Sequence, residues 1–154
     1  MCERVEHIVC AVRGSPQSRA TITRAIDLAM EHDARLTFFY AVDVEFLART
    51  TVRGPLSIVY RELIEMSEFT MLILKDRAER RGVARVDSII REDDVRAQLV
   101  RLIREERPDV LVLGWPLRGE GRPRFKPGEF NAFLADLERE GHTRVEVVPA
   151  LPDT

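Results

Sequence analysis

Lysine is nearly missing from this chain: Lys75 and Lys126 stand against 22 arginines in 154 residues. Chemistry that depends on lysine therefore cannot be spread along it. There is no Gly-x-x-x-x-Gly-Lys-Ser/Thr, which excludes a P-loop, and no Gly-x-Gly-x-x-Gly after the first strand pattern, which excludes a dinucleotide fingerprint. Cysteine is scarce as well. Cys2 and Cys10 supply neither a disulfide framework nor a metal-ligand spacing, and Cys10, inside an apolar run, reads as a small buried hydrophobe. His7, His32 and His142 stand singly near predicted element ends, where surface or capping roles are expected rather than catalysis. No apolar stretch approaches the roughly 20 residues of a membrane helix. The first six residues lack the apolar core of a signal peptide, so the cytoplasm is the expected location. A net charge of −2 offers no general reason to expect a nucleic-acid partner.

What is present is an ordinary globular composition, 45% apolar and 32% charged, with no repeat, low-complexity tract or linker. Residues 1–154 therefore read as one domain. Short apolar runs alternate with helical periods, the pattern of an α/β domain with a parallel sheet. The predicted strands are Ile8 to Val12, Leu36 to Val42, Arg85 to Ile90, Val110 to Leu113 and Val145 to Val148, apolar enough to be covered on both faces. Four helices fall between them. Ser15-Pro16 opens the first, with Ile22, Ile26 and Ala29 as its buried stripe. The second runs from about Leu56 to Arg81, carries Leu63, Met66, Phe69 and Ile73, and ends at Gly82. Asp93-Asp94 caps the third, which has Val95, Leu99, Leu102 and Ile103 on one stripe and stops at Pro108. The fourth starts after Pro127-Gly128 and ends at Gly141. Glu45 to Pro55 reads as a connecting loop.

Ligands of open parallel sheets bind beyond the carboxyl ends of the strands, where strand order reverses. That directs attention to Val12-Arg13-Gly14-Ser15, to Val42-Asp43-Val44, to Arg91-Glu92-Asp93 and to the segment after Gly114. The last is the richest. An apolar strand leads into Gly119, Gly121 and Gly128 and then a helix, a common way to build an anion site from backbone N–H groups and a helix N-terminus. Arg118, Arg122, Arg124 and Lys126 add positive charge, against Glu120 and Glu129. No nucleophile or acid–base pair emerges. Ser15 lacks the flanking glycines of a nucleophile elbow and is accounted for as a helix cap, as are Asp93 and Asp94.

Ile8 to Ser18, Ile-Val-Cys-Ala-Val-Arg-Gly-Ser-Pro-Gln-Ser, resembles the opening of the universal stress protein family, usually Ile-Leu-Val-Ala-Val-Asp-Gly-Ser-x-x-Ser. Ala78 to Val83, the acidic start of the third helix, and Arg107 to Gly114 are similar to later segments of the same family. The resemblance covers essentially the whole chain. It implies a single-domain, open, doubly wound parallel sheet of five strands in the order 3-2-1-4-5, helices on both faces, of the adenine nucleotide alpha hydrolase-like kind. It also implies, often, a homodimer.

The resemblance implies a nucleotide cleft at Val12, Arg13, Val42, Gly114, Arg118, Gly119, Gly121, Gly128 and Glu129, with ATP as the possible cofactor. Two departures bear on it. ATP-binding members carry Asp where this chain has Arg13, and a guanidinium cannot accept the hydrogen bond a carboxylate would. Their Gly-x-x-Gly, longer spacer and Gly-Ser or Gly-Thr become Gly119-x-Gly121, six residues and Gly128-Glu129, which sets a negative charge where a phosphate would sit. Pro116, Pro123 and Pro127 remove N–H donors, whereas Arg118, Arg122 and Arg124 could contact phosphate through side chains. The expected function is a small cytoplasmic regulatory homodimer, not an enzyme, acting through protein contacts and not binding ATP in the family manner. The alternative is an ATP- or AMP-binding sensor that uses the arginine-rich segment. The dimer is expected to pair the last strand, Arg144 to Val148, with its own copy.

Overall fold

Short β-branched runs need cover on both sides, and helical stripes of three- and four-residue spacing supply it. The computed structural model describes residues 4–12, 19–42, 56–92, 95–114 and 129–148. Its strands are β1 (His7–Ala11), β2 (Arg35–Val42), β3 (Val86–Glu92), β4 (Val110–Gly114) and β5 (Arg144–Val148). Every neighbouring pair is parallel and the order is β3-β2-β1-β4-β5, as the resemblance implies. Cys10 of β1 lies opposite both Phe38 of β2 and Val112 of β4.

The helices are α1 (Arg19–His32), α2 (Leu56–Arg81), α3 (Val95–Glu106) and α4 (Glu129–Gly141). Successive residues of a strand point to opposite faces, so each strand feeds two cores. Ile8, Cys10, Leu36, Phe38, Val110 and Val112 pack with Ile22 and Ile26 of α1 and Met71 and Leu74 of α2. Val9, Phe39, Leu111 and Leu113 pack with Leu99, Leu102 and Ile103 of α3 and Leu137 of α4. The chain winds one way from β1 through β3 and the other way from β4 to β5. The reversal falls between β1 and β4, which fixes where a cleft opens.

Each described helix ends on a residue with positive φ: Asp33, Gly82, Arg107 and His142. At α1, Ala34 N–H reaches Ala29 O at 2.9 Å, and at α2, Val83 N–H reaches Ala78 O at 3.1 Å, so both ends close back on their last turns. α4 ends at Gly141, as read from the sequence. The left-handed residue is His142, and Gly141 serves a close approach, because a Cβ there would stand 2.5 Å from the Ile103 methyl of α3.

Of the apolar residues that the sequence places on the second helix, Met66, Phe69 and Ile73 are exposed, while Ser67, Met71, Leu74 and Ala78 face the sheet, so α2 is apolar on two sides. Two expectations are corrected. β3 is not covered on both faces, because Asp87 and Ser88 of this edge strand are exposed. His7 is buried within β1 rather than placed at the surface. The opening of the first helix at Ser15-Pro16 and the segment Glu45 to Pro55 lie outside the described residues.

Candidate functional site

The carboxyl ends of β1 and β4 come together at the strand reversal. Val12 is buried one residue past β1, its N–H bonded to Phe39 O at 2.7 Å, so the β1 extension is held against β2. Gly114 closes β4. Since Cys10 pairs with Val112, continuing the parallel register sets Val12 beside Gly114. A Cβ on Gly114 would lie 3.0 Å from Thr21 Oγ1 of α1. The absent side chain lets the end of β4 and α1 close together.

Val42 ends β2 in register with Glu92, on the other side of β1. Glu129 is the first residue of α4, the helix that follows β4. Arg13, Arg118, Gly119, Gly121 and Gly128 lie outside the described residues. Of the predicted cleft residues, the structure thus brings together Val12 and Gly114, with Val42 and Glu129 at the ends of flanking elements.

Arg91, near the end of β3, is an arginine at the same end of the sheet, but it is engaged. It donates to Glu105 of α3 at 2.6 Å, and Arg101 donates to the same carboxylate at 2.7 Å. These two hydrogen bonds hold the Glu105 carboxyl below its ordinary range. Burial pushes the Cys10 thiol up to about 12, which leaves it inert as a nucleophile. Among the described residues, no group of three His, Cys, Asp or Glu is placed to hold a metal ion. No described helix is long and apolar enough to cross a membrane.

Sequence reasoning missed Thr21, whose role as the close neighbour of Gly114 depends on where α1 lands. It also missed a polar cluster at the opposite, amino end of the sheet. There the Asp109 carboxylate accepts N–H bonds from Glu6 at 2.9 Å and His7 at 3.0 Å, joining the start of β4 to the start of β1. Arg35 lies 3.1 Å from His7 Nδ1, and His7 Nε2 lies 2.8 Å from Thr37 Oγ1. A guanidinium can only donate, so Nδ1 holds the lone pair and Nε2–H donates to Thr37. Burial first, and then the Arg35 charge, hold the imidazole below its ordinary pKa. Thr143, just before β5, donates to Pro108 O at 2.7 Å.

The family model described as the universal stress protein family matches residues 4–125. Among curated proteins, none matches the chain. Three solved structures illustrate the likeness in fold. A universal stress family protein from Burkholderia pseudomallei is 23% identical, with a TM-score of 0.68 over 97% of this chain and 100% of that one. UspA from Lactobacillus plantarum is 19% identical, with a TM-score of 0.70 over the same shares. A universal stress protein solved in complex with cAMP is also 19% identical, with a TM-score of 0.67, again over 97% and 100%. The shared sheet order, the strand reversal between β1 and β4, and a family match over most of its length agree: the chain belongs to the universal stress protein family.

Proposed function

We propose that this chain is a single-domain, cytoplasmic regulatory homodimer of the universal stress type, without catalytic activity, that acts through protein contacts and does not hold magnesium-ATP in the family manner. The observation that carries the reading is the position of Glu129 as the first residue of α4. A helix N-terminus after β4 would offer a phosphate partial positive charge, and the residue the sequence sets there is acidic, where ATP-binding relatives carry Ser or Thr. Arg13, directly after the buried Val12, replaces the acceptor that ATP-binding relatives carry there. Calorimetric titration with magnesium-ATP is expected to show no binding in the low micromolar range, and a one-to-one isotherm there would defeat the reading. Arg13→Asp combined with Glu129→Ser is expected to create affinity.

A second reading, an adenine-nucleotide sensor using Arg118, Arg122 and Arg124, draws support from the similar protein solved with cAMP. The same titration with AMP and cAMP separates the two, since ligands with a single phosphate demand less of the segment after β4.

The homodimer is proposed to pair β5 with its copy. β5 bonds to β4 on one side only, and Arg144 N–H points toward β4, where it meets Asp109 O at 3.0 Å. Alternation along the strand then turns the N–H groups of Val145 and Val147 outward. Glu138 caps Val145 N–H weakly, at 3.4 Å. Light scattering at low micromolar concentration is expected to give about twice 17.7 kDa. Val147→Pro deletes an outward donor while sparing the β4 ladder, and should shift the mass to that of one chain.

A further inference from the structure

β5 carries a carboxylate that the single chain does not complete. Alternation turns residues 144, 146 and 148 toward α1. There Glu146 Oε1 accepts from Arg24 Nε at 2.8 Å, and Val148 packs on the core that α1 covers. Val145 turns the other way, onto the core under α3 and α4. Glu146 Oε2 is buried without a hydrogen-bond partner, one of two such side-chain atoms among the described residues. Arg144 stands two positions away on the same face, mostly exposed, its guanidinium 3.9 Å from that oxygen and too far for a hydrogen bond. A buried acceptor left unpaired costs free energy that a further donor recovers. The outer edge of β5 thus joins an unsatisfied carboxylate oxygen to a poorly engaged guanidinium.

We propose that β5 meets its copy with Val145 on the two-fold axis, so that Arg144 of each chain faces Glu146 of the other and supplies the donor its free oxygen lacks. The inference rests on the β5 homodimer proposed above and fixes its register. About a two-fold axis the strands run antiparallel, and the numbers of facing residues add to a constant. The outward N–H groups are those of Val145 and Val147, and three registers pair these valines among themselves. With Val147 on the axis, Glu146 faces Val148 and gains nothing. With the axis at residue 146, Glu146 faces its own copy, two like charges in the close, non-hydrogen-bonded position. With Val145 on the axis, Arg144 faces Glu146 twice. Cα atoms in that position are about 4.5 Å apart, within reach of an arginine. The exposed Glu138, which holds Val145 N–H only at 3.4 Å, gives way to the carbonyl of Val145 of the second copy. Arg24 keeps Oε1, so each carboxylate ends with an arginine on both oxygens.

Cross-linking reads the register. In a Cys2→Ser background, with Cys10 buried, Val145→Cys should form a disulfide with its copy quickly under diamide. The two Cα atoms would lie about 5.5 Å apart, within disulfide range. Val147→Cys should not, since its copies sit four residues out of step, about 13 Å. If Val147→Cys cross-links as fast as Val145→Cys, or if neither does while light scattering shows a dimer, the register is overturned. Arg144→Glu should raise the dimer dissociation constant at least about tenfold, because it sets two like-charged pairs across the axis. Mixing it with Glu146→Arg should restore association: one chain is then negative at both positions and the other positive, so every facing pair is opposite in sign. The proposal falls if Arg144→Glu dimerises like the wild type, or if the mixture is no tighter than Arg144→Glu alone. Urea midpoints check that each variant is folded, and if Glu146→Arg is not, the cross-links and the exposed Arg144→Glu still decide. Wild-type light scattering separates the two readings. A monomer at low micromolar concentration sinks the β5 dimer and this register with it, whereas a dimer with the wrong cross-link sinks the register alone.

Discussion

The two ends of the sheet are built on opposite principles. At the amino end, polar side chains tie the strands to one another: Asp109 holds β1 to β4, Arg35, His7 and Thr37 lace β1 to β2, and Thr143 binds Pro108 ahead of β5. At the carboxyl end, the described residues at the strand reversal are Val12, Gly114 and Thr21, with no side chain on the β4 terminus. The first arrangement spends polar groups on internal bonds between strands. The second makes no such bonds among side chains and rests on close packing. In a sheet whose strands all run the same way, the end where chains enter can be locked for stability, while the end where they leave stays free for binding.

Breaking the locked end should have the largest effect. Asp109→Ala removes the acceptor of two backbone N–H groups and is expected to cost about 2 kcal/mol of stability, read as a lower urea midpoint with an unchanged slope. Ligand titrations of the cleft should not change. If stability holds within a few tenths of a kcal/mol, the amino end is not the lock described.

At the open end, Gly114→Ala should cost about 1 kcal/mol, because its Cβ would come 3.0 Å from Thr21 Oγ1. Thr21→Ala should recover much of that loss in the double variant, a coupling that a denaturant-based double-mutant cycle measures. Strictly additive losses would mean that the two residues do not share the space.

The smallest effect is a pH dependence at the amino end. The His7 pKa is lowered in the folded chain, so the unfolded chain binds the extra proton more readily. The stabilisation from neutral His7 is thus complete above the ordinary histidine value near 6.5 and is lost as pH falls below it toward the lowered folded value. Unfolding free energies measured between pH 7 and 5 should decline less steeply in His7→Gln than in the wild type.

Much of the fold was legible because local chemistry and global packing agree. α2 was read as about Leu56 to Arg81 and spans those residues; Gly82 at φ 110° shows why it stops. The five strands were found within two residues of their ends, since buried parallel strands leave dense apolar runs. What the sequence left open was the buried side of α2. With apolar residues on both sides of α2, the period identified a helix but could not say which side met the sheet. The cleft was legible in part: Gly114 was singled out for a loop, and its closeness to Thr21, 93 positions earlier in the chain, became visible only in the packed structure.

The sequence by itself determined the alternation of strands and helices, the helix ends and the family, because these rest on periodicity, turn residues and ordered motifs that act over a few positions. Tertiary structure alone decided that His7 is buried beneath Arg35, that Asp109 clasps the start of β1 from the start of β4, and that α2 turns Phe69 outward. Those outcomes depend on which segments become neighbours across the sheet, and a one-dimensional pattern specifies a residue's own conformation far better than the surroundings it will meet.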